Sequence, residues 1–271
     1  MTDWDPELYN RFRRYRAEPF EFIVERLEFN PDERIVDLGC GSGENTVALA
    51  RRTASGSALG LDSSPAMIER ANSLRAGLDA DLTARVRFEL GDIARFDAPG
   101  QYTLVFSNAA LQWLNDRRAV LEACYRALVP DGRMVVQMPA NQIELYHQVL
   151  RELIKEQPWS SWIPTDSEPL HLEVEVPEHY RSMLAEIGFV DIDCYYHTFN
   201  HPMRSPAEIV EWSRATTLRP LLEALPEERR EEFVARWQAR LEQAYGTTGA
   251  LMFPFRRLFL WGRRPSKRDG V

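Results

Sequence analysis

Three acids each close an apolar run. Asp37 follows Arg34-Ile35-Val36, Asp62 follows Ser57-Ala58-Leu59-Gly60-Leu61, and Asp92 follows Arg85-Val86-Arg87-Phe88-Glu89-Leu90 and Gly91. After the first acid comes Gly39-Cys40-Gly41-Ser42-Gly43, glycine at every second place. Such a turn lets backbone N–H groups approach a ligand closely, and a helix opening near Asn45-Thr46-Val47 directs its positive end to the same spot. The chemistry this suits is capture of a nucleotide-like cofactor across the carboxyl ends of parallel strands. In the dinucleotide pattern G-x-G-x-x-G the third glycine is spaced for helix packing; the G-x-G-x-G here disfavours a nicotinamide cofactor. Asp37 would also repel a pyrophosphate, whereas a cofactor with a cationic amino-acid portion suits it. Asp62 stands close to the offset of about 20 residues past the glycines at which an acid meets ribose hydroxyls. Taken one at a time, a glycine-rich turn, a strand-end acid and a Gly-Asp pair are also ordinary loop features.

The elements needed to hold these residues can be read around them. Ser64 caps a helix with Pro65 at its first position, and Met67, Ala71 and Leu74 mark its apolar face. A fourth strand, Tyr102 to Phe106, leads into Ser107-Asn108-Ala109 and Gln112-Trp113. A helix carrying Val120, Leu121, Cys124 and Leu128 stops at Pro130-Asp131-Gly132, and Arg133 to Met138 forms a fifth strand. Strands alternating with helices predict an α/β protein. Beyond Met138 the spacing predicts a helix over Ile143 to Glu156, then a loop bearing Pro158, Pro164, Pro169 and Pro177. A strand is expected from Val190 to Phe199, helices over 206–245 with Phe233, Trp237, Leu241 and Tyr245 on one core face, and a last strand at Leu258 to Gly262.

Asp37-Leu38 with the G-x-G-x-G loop resembles the class I S-adenosylmethionine-dependent methyltransferases. The resemblance implies a Rossmann-like fold: a seven-stranded, mostly parallel sheet with helices on both faces and a helical cap. It implies that Asp37 and the loop Gly39, Cys40, Gly41 and Gly43 embrace the methionine part of S-adenosyl-L-methionine, with Asn45 also expected to bind the cofactor. Asp62 would serve the ribose, Asp92 and Ile93 the adenine, and Asn108, Ala109 and Trp113 the point where acceptor meets cofactor, with Ser63 and Met67 also expected to bind the cofactor. The corresponding division is a lid helix and cofactor core over 1–140, cap insertions over 141–187 and 205–250, closing strands over 188–204 and 251–264, and a basic tail over 265–271.

A closer similarity runs from residue 4 to about 262. Trp4 to Tyr9, Arg16, Pro19, Asn108-Ala109, Gln112-Trp113, Gln137-Met138-Pro139, Asn141 and His147 resemble the trans-aconitate methyltransferase family. So do Tyr180, Asn200-His201-Pro202-Met203, Ile209 to Trp212, Leu218-Arg219-Pro220 and Phe255 to Phe259. The chain departs from that pattern at Glu18, where the family has arginine, at Arg117, where it has histidine, and between Trp212 and Leu218. Glu18 facing a pocket would repel a polycarboxylate. The resemblance implies an O-methyltransferase that esterifies a carboxylate of a small polycarboxylic acid such as trans-aconitate. A carboxylate has no proton to lose, so no general base is required and positioning carries the rate. Arg219 and Arg257 are expected to clamp carboxylates through their fork geometry, with His147, Trp113 and Trp212 shaping the pocket. The plainer reading is that the arginines pair with surface glutamates and that His147 bonds within the cap. Trp4 and Tyr9 would form a lid or staple the first helix to the core. Two other functions stay open: methylation of a different small acceptor such as a phenol, and cofactor sensing without turnover.

Composition sets the outer limits. The 271 residues are 44% hydrophobic and 27% charged, ordinary usage for a folded domain. A net charge of −8 argues against a nucleic-acid partner. Cys40, Cys124 and Cys194 form neither a C-x-x-C pair nor a disulfide framework, and neither an H-x-x-x-H nor a carboxylate triad accompanies His147, so no metal is expected. Met1-Thr2-Asp3-Trp4-Asp5 lacks the look of a signal peptide, and no run reaches the ~18 apolar residues of a membrane span. A cytoplasmic monomer or small homo-oligomer acting on a small-molecule carboxylate is therefore expected.

Overall fold

Ile35, Val36 and Leu38 are almost wholly buried, because a strand in the middle of a parallel sheet has both faces covered and no side left for water. They belong to β1 (Arg34–Leu38) in a computed structural model that describes residues 6–164, 174–214 and 217–266, with side chains from residue 12 onward. In chain order the described elements are α1 (Pro6–Val24), β1, α2 (Glu44–Ala50), β2 (Ser57–Asp62), α3 (Pro65–Ala76), α4 (Ala80–Arg85), β3 (Val86–Leu90), β4 (Tyr102–Asn108), α5 (Arg117–Ala127) and β5 (Leu128–Pro139). There follow α6 (Leu145–Ile154), α7 (Pro177–Ile187), β6 (Val190–Met203), α8 (Pro206–Arg214), α9 (Leu218–Ala224), α10 (Glu227–Tyr245) and β7 (Leu251–Arg263).

The strands form one seven-stranded sheet in the order β3-β2-β1-β4-β5-β7-β6. β3, β2, β1, β4 and β5 are parallel, with Val36 beside Leu59 on one side and Val105 on the other. β7 runs against β5: the Asp131 amide donates to the Arg264 carbonyl, and the Arg264 amide donates to that of Gly132. The order turns back at β1 and β4, and at such a switch point the crevice beyond the strand ends is open to a ligand.

Local chemistry sets the helix starts. Ser64 accepts from the Met67 amide with Pro65 in the first turn, as the sequence predicts, and Asp79 and Asp116 cap α4 and α5 in the same way. Some boundaries differ from expectation. Arg85 ends a short helix that the sequence pattern hides, so β3 starts at Val86. β5 begins at Leu128, directly after α5, with Asp131 in the left-handed region at φ 66°. β6 and β7 are each several residues longer than expected.

The chain divides into two units. The sheet unit comprises Ala17–Pro139, Val174–His197 and Leu258–Val271; the second unit comprises Met1–Arg16, Ala140–Glu173 and Thr198–Arg257. α7, placed by the sequence reading in a cap insertion, falls in the sheet unit, where Glu186 pairs with Arg118 of α5 at 2.8 Å. The second unit has its own core, including Trp237, Phe233, Phe253, Leu241 and Trp159. Among the described residues no helix is long and apolar enough to cross a membrane.

Candidate functional site

The glycine loop is a backbone structure that only glycine permits. Gly39, Gly41 and Gly43 have φ of 78°, 54° and 90°. A Cβ on Gly39 would stand 2.2 Å from that of Ala110, and one on Gly43 would stand 2.5 Å from the Phe88 ring. A Cβ on Gly41 would meet nothing within 4 Å, so at that point the loop faces open space. The loop is fastened from β2: Gly39 and Cys40 amides donate to the Leu61 carbonyl at 2.8 and 2.9 Å. Asp62 completes the fastening, one carboxylate oxygen accepting from the Gly41 amide at 2.9 Å and the other from the Ser64 amide at 2.8 Å.

Asp37 is buried and accepts a 2.6 Å hydrogen bond from the Thr46 hydroxyl. Burial pushes its pKa up to about 7, with Thr46 opposing and the Asp62 charge adding to the rise. A carboxyl so placed gains ionisation from a cation, which is what an amino-acid ammonium supplies. Cys40 is packed rather than reactive: burial, then the Asp37 and Asp62 charges, raise its thiol far above the usual range. Asn45 is half-buried in the first turn of α2, Ser63 is exposed, and Met67 sits in the first turn of α3. Asp92 is exposed and caps a single turn, Ile93 to Arg95, accepting from the Ala94 amide at 2.9 Å.

At the ends of β4 and β5 the backbone turns sharply. Ala109 has φ 57°, its amide donates to the Gln137 carbonyl at 2.9 Å, and its carbonyl accepts from the Gln112 side chain at 2.7 Å. Asn108 Oδ1, Gln112 Oε1 and both amide atoms of Gln137 are buried without a hydrogen-bond partner. Buried polar atoms are normally paired, so this row of orphans beside the glycine loop is a place prepared for a polar ligand. Open space at Gly41, a cation-seeking Asp37 and these amides fit a nucleoside cofactor carrying an amino-acid tail. Trp113 ends the next turn with 55% of its surface exposed. Arg117 donates to the carbonyls of Leu111 and Gln112 at 3.2 and 3.1 Å and so braces that turn. A separate groove of about 700 Å³ in the same unit, lined by Phe22, Arg26, Asp193, Tyr195 and Trp261, contains none of these residues.

The second unit carries a polar cluster of a different kind. Arg257 has 7% of its surface exposed, its guanidinium lies 3.7 Å from the Phe255 ring centroid, and its Nε has no hydrogen-bond partner. Among the described residues no acid pairs with it. Burial first, and the Arg16 charge in addition, bring its pKa down to about 9, with the Tyr146 hydroxyl acting the other way. His147 is buried, burial and Arg151 push its pKa down to about 3, and its Nδ1 lacks a partner. Tyr146 packs against His147 at 4.4 Å. Trp212 is buried among Phe12, Phe253 and Phe255. Arg219 lies elsewhere: it is exposed on α9 and pairs with Glu223 one turn on, at 2.9 Å. The structure thus gathers Arg257, His147 and Trp212 in one unit, places Trp113 in the other, and leaves Arg219 on the surface. Trp4 and the Tyr9 side chain, expected as a lid, lie outside the described residues. Arg16, Tyr146 and His201 were not named as site residues from sequence; Arg16 and His201 had only their membership of the matched segments as a signal, and Tyr146 only its place beside His147.

Residues 35–132 match the methyltransferase domain family. The chain is 34% identical over 264 residues to the trans-aconitate 2-methyltransferase of Variovorax paradoxus, covering 96% of this chain and 98% of that protein. It is 35% identical over 266 residues to the trans-aconitate 2-methyltransferase of Escherichia coli O1:K1, covering 97% and 99%. In fold it is similar to the crystal structure of YcgJ from Bacillus subtilis, with TM-score 0.60, 15% identity and coverage of 92% of this chain and 99% of that one. It is also similar in fold to phosphoethanolamine N-methyltransferase 2 of Haemonchus contortus, solved with S-adenosyl-L-methionine, with TM-score 0.58 and 18% identity over 92% of this chain and 53% of that one.

Proposed function

Because the chain belongs to the trans-aconitate 2-methyltransferase family of S-adenosylmethionine-dependent methyltransferases, we propose that it esterifies a carboxylate of a small polycarboxylic acid such as trans-aconitate. The products are the methyl ester and S-adenosylhomocysteine. Arg257 carries this reading. A buried guanidinium with no acid beside it among the described residues is costly unless an anion completes it, and a carboxylate matches its fork.

S-adenosylmethionine supplies a methyl group already activated by its sulfonium. The chain's part is to bind, orient and exclude water. Asp37 takes the ammonium end, Asp62 the ribose hydroxyls and Asp92 the adenine, while the Asn108 and Gln137 amides offer unused polar atoms beside them. The reacting carboxylate is ionised at neutral pH and needs no base, which agrees with a His147 held neutral by burial. Holding attacking oxygen, methyl carbon and sulfur in line supplies the rate, an effect worth up to ~7 to 11 kcal/mol in favourable cases.

The test is turnover of trans-aconitate with methyl-labelled cofactor. An ester product releases its label as methanol in alkali; an alkali-stable methyl group, or no product from trans-aconitate despite tight S-adenosylhomocysteine binding, overturns the proposal.

A further inference from the structure

One side chain at the strand ends lacks both a donor partner and an acceptor partner. Gln137, near the end of β5 and beside Asn108 of β4, has no surface exposed, and neither its amide nitrogen nor its amide oxygen has a hydrogen-bond partner. Among the described residues it is the only side chain with two buried polar atoms in this state. Because both atoms are unpaired, the same holds whichever way the amide is turned.

Its place follows from the glycine loop outward. A Cβ on Gly39 would touch Ala110, and the amide of the neighbouring Ala109 donates to the Gln137 carbonyl at 2.9 Å. Asp37 stands beside Phe106, and Phe106 beside Val135. Side chains two residues apart share a face, so Asn108 and Gln137 project from the same face of the sheet as Asp37, one pleat nearer the carboxyl ends. Asp92, Asp62 and Asp37 follow one another at the ends of β3, β2 and β1, and β5 lies two strands further along that line, about 10 Å past β1. Gln137 therefore stands beyond the last of the three acids, where room is left for an acceptor. All these residues belong to the sheet unit.

A buried donor and a buried acceptor left unpaired oppose folding, so the arrangement calls for two ligand groups of opposite character. Carboxyl methylation brings such a pair together, an anionic oxygen and a methyl group on a sulfonium. We propose that Gln137 is the residue on which the two reactants meet, its amide N–H donating to the reacting carboxylate and its amide oxygen facing the positively charged methyl. A neutral amide suits this position, because a guanidinium there would hold back the attacking electron pair and repel the sulfonium. The oxygen–carbon bond forms as the carbon–sulfur bond breaks, the electron pair of the broken bond stays on sulfur, and no proton moves. The assignment rests on the carboxyl-methylation reading above and adds the group that aligns the two partners.

The experiment compares wild type with Gln137→Met and Gln137→Glu. Calorimetry gives Kd for S-adenosylhomocysteine, for sinefungin, which carries an ammonium where the cofactor has its sulfonium methyl, and for trans-aconitate with S-adenosylhomocysteine bound. Expected for Gln137→Met is a fall of at least thirtyfold in kcat/KM for trans-aconitate and at least fivefold in sinefungin affinity, with S-adenosylhomocysteine within twofold. Gln137→Glu exchanges the donor for a second acceptor; it should bind sinefungin at least as tightly as wild type and trans-aconitate at least tenfold more weakly. Unliganded Gln137→Met should melt no lower than wild type, since two unpaired polar atoms are removed. A lower melting temperature with both affinities and turnover unchanged would mark a purely structural residue and overturn the assignment. Equal losses of sinefungin and S-adenosylhomocysteine in Gln137→Met would overturn it too, while leaving methylation intact. Absence of ester from trans-aconitate with the wild type overturns the underlying reading instead. If Gln137→Met does not fold, Gln137→Glu reads the same contrast between cation and anion.

Discussion

The two polar regions of this protein are built by opposite means. The loop proposed to cradle the cofactor is made of backbone: three glycines with positive φ, two amides on the Leu61 carbonyl, and a carboxylate that fastens the loop. The cluster proposed to take the acceptor is made of side chains from α1, α6, α8, β6 and β7, including an arginine bonded to a carbonyl 196 residues away. A backbone site is fixed by local sequence and admits few substitutions. A side-chain site can change its ligand one residue at a time, which suits a common cofactor paired with a particular acceptor.

Changes at the glycines should separate the regions most sharply. Gly39→Ala forces a Cβ to 2.2 Å from Ala110 and should cost about 3 kcal/mol or more, with S-adenosylhomocysteine binding lost. Gly41→Ala meets no neighbour and should cost only about 1 to 2 kcal/mol, yet weaken the cofactor at least tenfold by filling the cradle. Urea denaturation and calorimetry measure both; equal stability losses would break the distinction.

Next in size, Arg257→Met should lower kcat/KM for trans-aconitate about 100-fold, as loss of a buried charged pair does, while leaving cofactor affinity within twofold. The unliganded variant should melt no lower than wild type, since an uncompensated buried cation is removed. In wild type, kcat/KM should fall above about pH 9 as Arg257 loses its charge.

Asp37→Asn reads the other region. With its pKa raised to about 7 from 3.8, folded Asp37 holds a proton that the unfolded chain has released, so unliganded wild type loses stability as pH rises from about 4 to 7. The Asn variant should lack this slope and bind cofactor at least tenfold more weakly; melting curves in the two proteins across that range are the check. His147 acts oppositely: its pKa of about 3 makes stability fall as pH drops below 6.5, and His147→Asn should remove that component. Arg219→Met, at the exposed pair with Glu223, should change kcat/KM less than twofold.

What the sequence discloses follows the same division. Asp37, Gly39 to Gly43, Asp62 and the Ser64-Pro65 cap lie within thirty residues, where spacing alone dictates a strand, a turn and a helix start. The short helix before Val86 escaped because six residues carry too little periodicity to distinguish it from the strand it joins. The placement of α7 depended on its packing against α5, which no local pattern encodes. Arg219 and Arg257 looked equivalent in sequence; one lies on an outward helix face and the other on a buried strand, a difference made only by tertiary structure. Tyr15 meets His201 and Arg16 meets Trp212 across most of the chain's length, so these contacts could be seen only once it was folded.

The double grip of Asp62 has a thermodynamic consequence. Since one carboxylate accepts from both the Gly41 and the Ser64 amides, the loop and the start of α3 are tied through a single side chain, and losing it releases both attachments at once.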